Sequence, residues 1–184
     1  VMLDVLNWAN ERASAKSPEV LSRLELKERK YLLATVHRSE NTDSPERLSG
    51  ILDALNALNE PVVFPIHPRT RKMINNGGNG RLRSHVQLIE PVGYFDMVTL
   101  SRSARAILTD SGGLQKEAYW LGVPCVTLRD ETEWVETVET GWNTLAGSDS
   151  GKIISTVRSL QPPASRAPLY GEGCVSAKCV DLIG

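Results

Sequence analysis

Three stretches of the chain carry residue types that suit a phosphorylated, hydroxyl-rich ligand. In Asp110-Ser111-Gly112-Gly113-Leu114-Gln115-Lys116-Glu117 two glycines let the main chain approach a ligand with no Cβ in the way. If a helix starts there, its first N–H groups lack internal partners and sit at the positive end of the helix dipole, which favours phosphate. Glu117 follows Gly113 by one helical turn on the same face, where a carboxylate can accept from a pair of sugar hydroxyls. Phosphate at the turn and ribose at Glu117 together read as a nucleoside diphosphate. The bland alternative is a capped, tight βα connection with no ligand. The turn is neither a Walker loop nor the dinucleotide Gly-x-Gly-x-x-Gly. The other two stretches, His37-Arg38-Ser39-Glu40-Asn41 and His67-Pro68-Arg69-Thr70-Arg71-Lys72, bring imidazole and guanidinium groups.

The elements that must position these residues follow from the apolar pattern. Nearly continuous apolar runs (Tyr31 to Val36, Pro61 to Ile66, Val86 to Ile89, Ala104 to Leu108, Pro124 to Leu128) and a short Asn143 to Gly147 segment predict six strands. Between them lie helical stripes such as Leu48, Ile51, Leu52 and Leu55 after the Ser44-Pro45 start. At the N-terminal end, residues 1 to 14 have helical spacing and Ser17-Pro18 is expected to restart a second, short helix. A helix is expected from about Thr132, another from Lys152 to Leu160, and a last one from Glu172 to Ile183; Asn75 to Gly80 reads as a surface loop. Alternating strands and helices with short loops call for an α/β, Rossmann-like parallel sheet with helices on both faces. Ligands of such sheets bind outside the carboxyl ends of the strands. Five polar clusters, at His37, His67, Glu90, Asp110 and Arg129, each follow a strand end and so share one rim.

A chain of 184 residues suffices for one well-buried domain, and a net charge of -1 speaks against a nucleic-acid partner. The apolar runs are too short for a membrane span, and the opening residues do not form a secretory signal. Three cysteines without Cys-x-x-Cys spacing fit neither a disulfide framework nor a zinc site, and point to a reducing cytoplasm. Cys125, in an apolar strand, reads as a buried small hydrophobe.

The ordered pieces Thr35-Val36-His37-Arg38-Ser39-Glu40-Asn41, Pro65-Ile66-His67-Pro68-Arg69-Thr70, Leu108-Thr109-Asp110-Ser111-Gly112-Gly113-Leu114-Gln115-Lys116-Glu117, Leu128-Arg129-Asp130-Glu131-Thr132-Glu133 and Tyr170-Gly171-Glu172-Gly173 closely resemble the C-terminal domain of the non-hydrolysing UDP-N-acetylglucosamine 2-epimerases. The resemblance implies the C-terminal half of a glycosyltransferase-B-type fold. Residues 1–168 would form a UDP-binding domain, with 1–28 as a helical entry, and the helix in 169–184 would cross back to an N-terminal domain absent from this sequence. It also implies a cytoplasmic homodimer serving polysaccharide biosynthesis, and a reaction that interconverts UDP-GlcNAc and UDP-ManNAc by elimination and re-addition of UDP, with neither metal nor redox cofactor. The carboxylates that move the C2 proton would lie in the absent half, so this chain alone is expected to be inactive.

Residue by residue, the resemblance makes His37 the catalytic histidine of this half, cationic and facing the diphosphate. It makes Ser111, Gly112 and Gly113 diphosphate ligands, Glu117 the ribose acceptor, and Val92 and Met97 the uracil contacts. Arg38 and Glu40 belong to the same motif, and His67 and Arg69 match a region that contacts a second, regulatory UDP-sugar in some members. Where the family reads Thr-Glu-Arg-Pro-Glu this chain has Thr132-Glu133-Trp134-Val135-Glu136, and Trp134 cannot supply an arginine's charge or fork of donors. An indole could stack or donate one bond; Arg129 is the nearest basic replacement, although a rim ion pair is its ordinary role. The alternatives are an epimerase of a modified UDP-sugar of the diacetamido-glucuronate type, the donor domain of a glycosyltransferase, and a non-enzymatic UDP-sugar module.

Overall fold

The computed structural model describes residues 1–76, 82–171 and 173–183. Its sheet contains β1 (Leu32–Thr35), β2 (Val62–Pro65), β3 (Val86–Ile89), β4 (Ala106–Thr109), β5 (Cys125–Thr127) and β6 (Asn143–Leu145). They lie in the order β3-β2-β1-β4-β5-β6, every neighbouring pair parallel, as the continuous apolar runs require. The chain leaves β1 toward β2 on one side and returns to β4 on the other. The switch point between β1 and β4 is where such a sheet opens a crevice.

Alternation along each strand sends side chains to two cores. Leu32, Ala34, Phe64 and Leu108 meet Leu48, Ile51, Leu52 and Leu55 of α3 (Pro45–Ala57) and Ile153 and Val157 of α8 (Ser150–Ser159). Tyr31, Leu33, Val63, Ile107 and Cys125 meet Val20 and Leu21 of α1 (Met2–Arg23), Leu100 of α5 (Tyr94–Ser103), and Leu114 and Ala118 of α6 (Gly112–Leu121). Each fully buried Leu, Ile or Phe contributes about 1.5–3 kcal/mol relative to exposure. Burial in the second core pushes the Cys125 thiol up to about 12, so it behaves as an inert apolar group.

Several helix boundaries differ from the expectation. Residues 2–23 form one helix, and Ser17-Pro18 does not restart the chain. Leu6, Ala9, Ala13 and Val20 repeat on a single stripe and are all buried, so packing along the whole length outweighs the local break. The helix expected from Thr132 begins as α7 (Val135–Glu139). Thr132 Oγ1 accepts from Trp134 N at 3.1 Å and donates to Gln115 Oε1 at 2.5 Å, which keeps this threonine in a turn. Asn75 and Asn76 end α4 (Pro68–Asn76); the rest of the expected loop lies outside the described residues from 77 to 80. The last helix, α9 (Val175–Ile183), starts later than Glu172, which is itself outside the described residues. Among the described residues, no helix is long and apolar enough to cross a membrane.

Candidate functional site

The site is built on the pairing of β1 with β4. Their register sets Thr35 opposite Thr109, and the two buried hydroxyls lie 2.6 Å apart. The residue that follows β4, Asp110, is wholly buried at 0% exposure. Its carboxylate accepts from the main-chain N–H of His37 at 3.1 Å and of Arg38 at 3.0 Å, and from Asn41 Nδ2 at 3.1 Å. Asn41 belongs to α2 (Ser39–Thr42) and also donates to the carbonyl of Leu128, which ties the β1, β4 and β5 ends together. His37 Nδ1 stands 3.2 Å from Asp110 Oδ1, with the imidazole 46% exposed. Burial pulls the Asp110 carboxyl upward, yet the bonds from His37, Arg38 and Asn41 outweigh it and hold it below its ordinary value. The same bond to Asp110 raises His37 against its own partial burial. The outcome is a half-exposed imidazole bonded to a buried carboxylate, its charged form favoured.

The Ser-Gly-Gly turn adjoins this pair. Ser111 caps α6, its Oγ accepting from Leu114 N at 3.3 Å, and its own N–H donates to Thr109 Oγ1 at 2.9 Å. The N–H groups of Gly112 and Gly113 precede the first internal bond of the helix and are left for an outside acceptor. At Gly113 an added Cβ would meet only Ser111 Oγ at 3.9 Å and Met2 Cε at 4.0 Å, so the main chain here lies open. At the far end Gly122 closes α6 with φ 66°, and a Cβ there would come 3.1 Å from Arg166 Nη1.

A cavity of about 350 Å³ opens over the turn, within the usual range for small-ligand sites. His37, His67, Val92, Met97, Ser111, Gly113 and Glu117 all line it. The structure therefore brings together residues drawn from four strand ends. Glu117 Oε1 accepts from Tyr94 Oη at 2.9 Å, and burial raises its carboxyl although Tyr94 pulls the other way.

The remaining candidates divide. Arg38 stands near the turn, its Nη2 3.7 Å from where a Gly112 Cβ would be, and 3.8 Å from Glu133. Glu40 pairs with Arg47 at 3.3 Å and does not line the cavity. Arg129 is buried and forks onto Glu133 at 2.8 and 3.0 Å, an ion pair that leaves it unavailable as a replacement donor. Arg129 holds the Glu133 carboxyl down at about 2. Trp134 Nε1 donates to the carbonyl of Gly112 at 2.8 Å, so its one N–H is engaged within the protein. His67 lines the cavity and its Nδ1 accepts from Arg69 N at 3.2 Å, while Arg69 Nη2 grips Asp43 at 2.6 and 2.7 Å. Asp110, Asn41 and Tyr94 lie in the expected rim clusters, but the sequence assigns them no individual role. A carboxylate set between an apolar strand and a Ser-Gly-Gly turn was the available signal for Asp110; nothing in the sequence pairs Tyr94 with Glu117. Among the described residues no cluster of three His, Cys, Asp or Glu side chains could hold a metal ion.

Comparison with known proteins gives a consistent picture. The family model described as UDP-N-acetylglucosamine 2-epimerase matches residues 1–184. A UDP-N-acetylglucosamine 2-epimerase homolog of Methanococcus maripaludis is 46% identical over 100% of this chain and 52% of its own length. A UDP-2,3-diacetamido-2,3-dideoxy-D-glucuronate 2-epimerase of Pseudomonas aeruginosa is 45% identical over 83% of this chain and 44% of its own. The crystal structure of Methanocaldococcus jannaschii UDP-GlcNAc 2-epimerase in complex with UDP-GlcNAc and UDP superposes with a TM-score of 0.87 at 35% identity, over 99% of this chain and 52% of that one. The calicheamicin glycosyltransferase CalG4, at 18% identity and a TM-score of 0.54 over 74% of this chain and 35% of its own, shares the fold alone. The chain spans about half the length of the curated relatives it matches.

Proposed function

The chain belongs to the UDP-N-acetylglucosamine 2-epimerase family, and from that premise we propose that it forms the UDP-holding half of an isomerase interconverting UDP-GlcNAc and UDP-ManNAc. One observation carries the reading: His37, Ser111, Gly113 and Glu117 line one cavity at the β1/β4 switch point, with buried Asp110 bonded to His37 and Arg38 beside Gly112. The amides of Gly112 and Gly113 take the diphosphate, with His37 and Arg38 on its other side. Glu117, held by Tyr94, accepts from the ribose hydroxyls, and uracil lies against Val92 and Met97. In the reaction the C1–O bond breaks, its electron pair goes to the diphosphate oxygen, and the C2 proton passes to a base. His37 and Arg38 stabilise the charge that builds on the departing UDP. UDP then adds back after C2 is reprotonated on the other face. The bases come from a second domain, which accords with relatives of twice this length.

The division into a domain of residues 1–168 and a C-terminal helix in 169–184 goes with this reading. In support, none of the described residues of α9 is buried, and Leu182 and Ile183 are 87% and 86% exposed. A homodimer, a cytoplasmic location and a role in polysaccharide biosynthesis rest on the family resemblance.

Two measurements test the proposal. Calorimetric titration of UDP against the chain and against Ser111→Arg should give binding to the first and none to the second; equal affinity would refute the diphosphate site. Incubation of the full-length protein with UDP-GlcNAc in heavy water should place deuterium at C2, because the elimination exposes that position to solvent. A sugar-transfer donor domain would leave C2 protonated.

A further inference from the structure

Trp134 lies outside the cavity, yet it is bonded to the turn that bounds it. Its indole N–H donates to the Gly112 carbonyl at 2.8 Å. In a trans peptide the carbonyl of one residue and the N–H of the next point in opposite directions. Holding the Gly112 carbonyl on the Trp134 side therefore turns the Gly113 N–H the other way, toward the cavity that Gly113 lines. Two consecutive glycines have more backbone freedom than any other pair, so a tether at this place has motion to remove.

The indole face does a second thing. Lys116 Nζ sits 4.1 Å from the Trp134 ring centroid, 4.4 Å from that of Tyr170 and 5.1 Å from that of Trp120. Tyr170 is itself fixed, with φ 65° and its hydroxyl donating to Glu136 at 2.9 Å. Among the described residues Lys116 has no carboxylate partner within 4.0 Å. An ammonium held by ring faces rather than by an anion keeps its full charge, and here it is parked one indole away from the diphosphate turn.

We propose that Trp134 is a positioning residue for diphosphate binding, orienting the Gly113 amide through the Gly112 carbonyl and holding the cation of Lys116 beside the turn. This rests on the nucleotide reading above, and it assigns Trp134 no contact with the sugar.

The test compares UDP and uridine binding to the wild-type chain, Trp134→Phe and Lys116→Met. Trp134→Phe keeps an aromatic ring near Lys116 but loses the N–H together with the pyrrole part of the indole. Its UDP affinity should fall about 3- to 10-fold, the range that one neutral hydrogen bond commands, with uridine affinity unchanged. Hydrogen exchange at the Gly113 amide should quicken in the same variant. Lys116→Met should weaken UDP and flatten its salt dependence, and Lys116→Arg should restore both. Unchanged UDP affinity in Trp134→Phe, or an equal loss for uridine, would overturn the inference while leaving the nucleotide site intact. Failure of the wild-type chain to bind UDP would overturn both.

Discussion

His37 Nδ1 lies 3.2 Å from Asp110 Oδ1, joining a half-exposed imidazole to a carboxylate with no exposure at all. The buried anion is matched by donors from the β1 end and α2, so neither partner is interchangeable with a neutral group. Removing the buried carboxylate leaves its donors without an acceptor.

Asp110→Asn should therefore destabilise the fold by roughly 1–3 kcal/mol, because an amide cannot accept from the three N–H donors and the imidazole together. The pH dependence has two limbs. Asp110 is depressed in the folded state, so its contribution is present above the unfolded value of about 3.9 and is lost as pH falls through the folded value. His37 is raised, so its contribution is complete below about 6.5 and is lost as pH climbs through the folded value. Thermal melts across pH should show a broad maximum between these limits in the wild type, and a flatter profile in Asp110→Asn.

The charge on His37 should also appear in ligand binding. The wild-type advantage over His37→Gln for UDP is expected to be about tenfold where the imidazole is protonated, as for a charge-assisted bond. It should vanish as pH rises through the raised His37 value. Taking the ratio of the two proteins at each pH removes the titration of UDP itself.

Glu117 illustrates a conflict between stability and binding. Burial raises its carboxyl, so the ionised form costs stability above the ordinary glutamate value, and that cost disappears at lower pH. Glu117→Gln should leave the melting temperature equal or higher near neutral pH, since Gln can still accept from Tyr94. Its UDP affinity should drop about tenfold or more through loss of a charged acceptor for the ribose. Calorimetry with UDP, set beside a melt of the same sample, checks both halves.

Gly113→Ala is expected to show the same opposition at the main chain. The position has room for a methyl and no positive φ, so in the folded protein Ala should be more stable by about 0.5–1 kcal/mol, the helix-interior difference between the two residues. The methyl would stand at the cavity wall and hold a phosphate off the amides. Urea melts should move up while UDP binding is lost.

Much of this was readable from residue order. The six strands, their parallel arrangement and the shared rim follow from apolar runs ending in polar clusters. Ser111 as the cap of α6 follows from the Ser-Gly-Gly pattern. The continuity of α1 through Ser17-Pro18 was not readable, because a stripe of burial against other helices overrode a local stop signal. Neither was the pairing of the Arg69 guanidinium with Asp43, 26 residues away in sequence and 2.6 Å away in space.

The sequence by itself determined which groups stand at the strand ends, since alternation and turn chemistry are local and periodic. Tertiary structure alone decided how those groups are held: Asp110 under His37, Tyr94 on Glu117, Trp134 on Gly112. These partners are 22 to 73 residues apart along the chain. They meet because the sheet order brings β1 beside β4 and the α6 turn beneath the loop after β5, and no pattern of neighbouring residues encodes that distance.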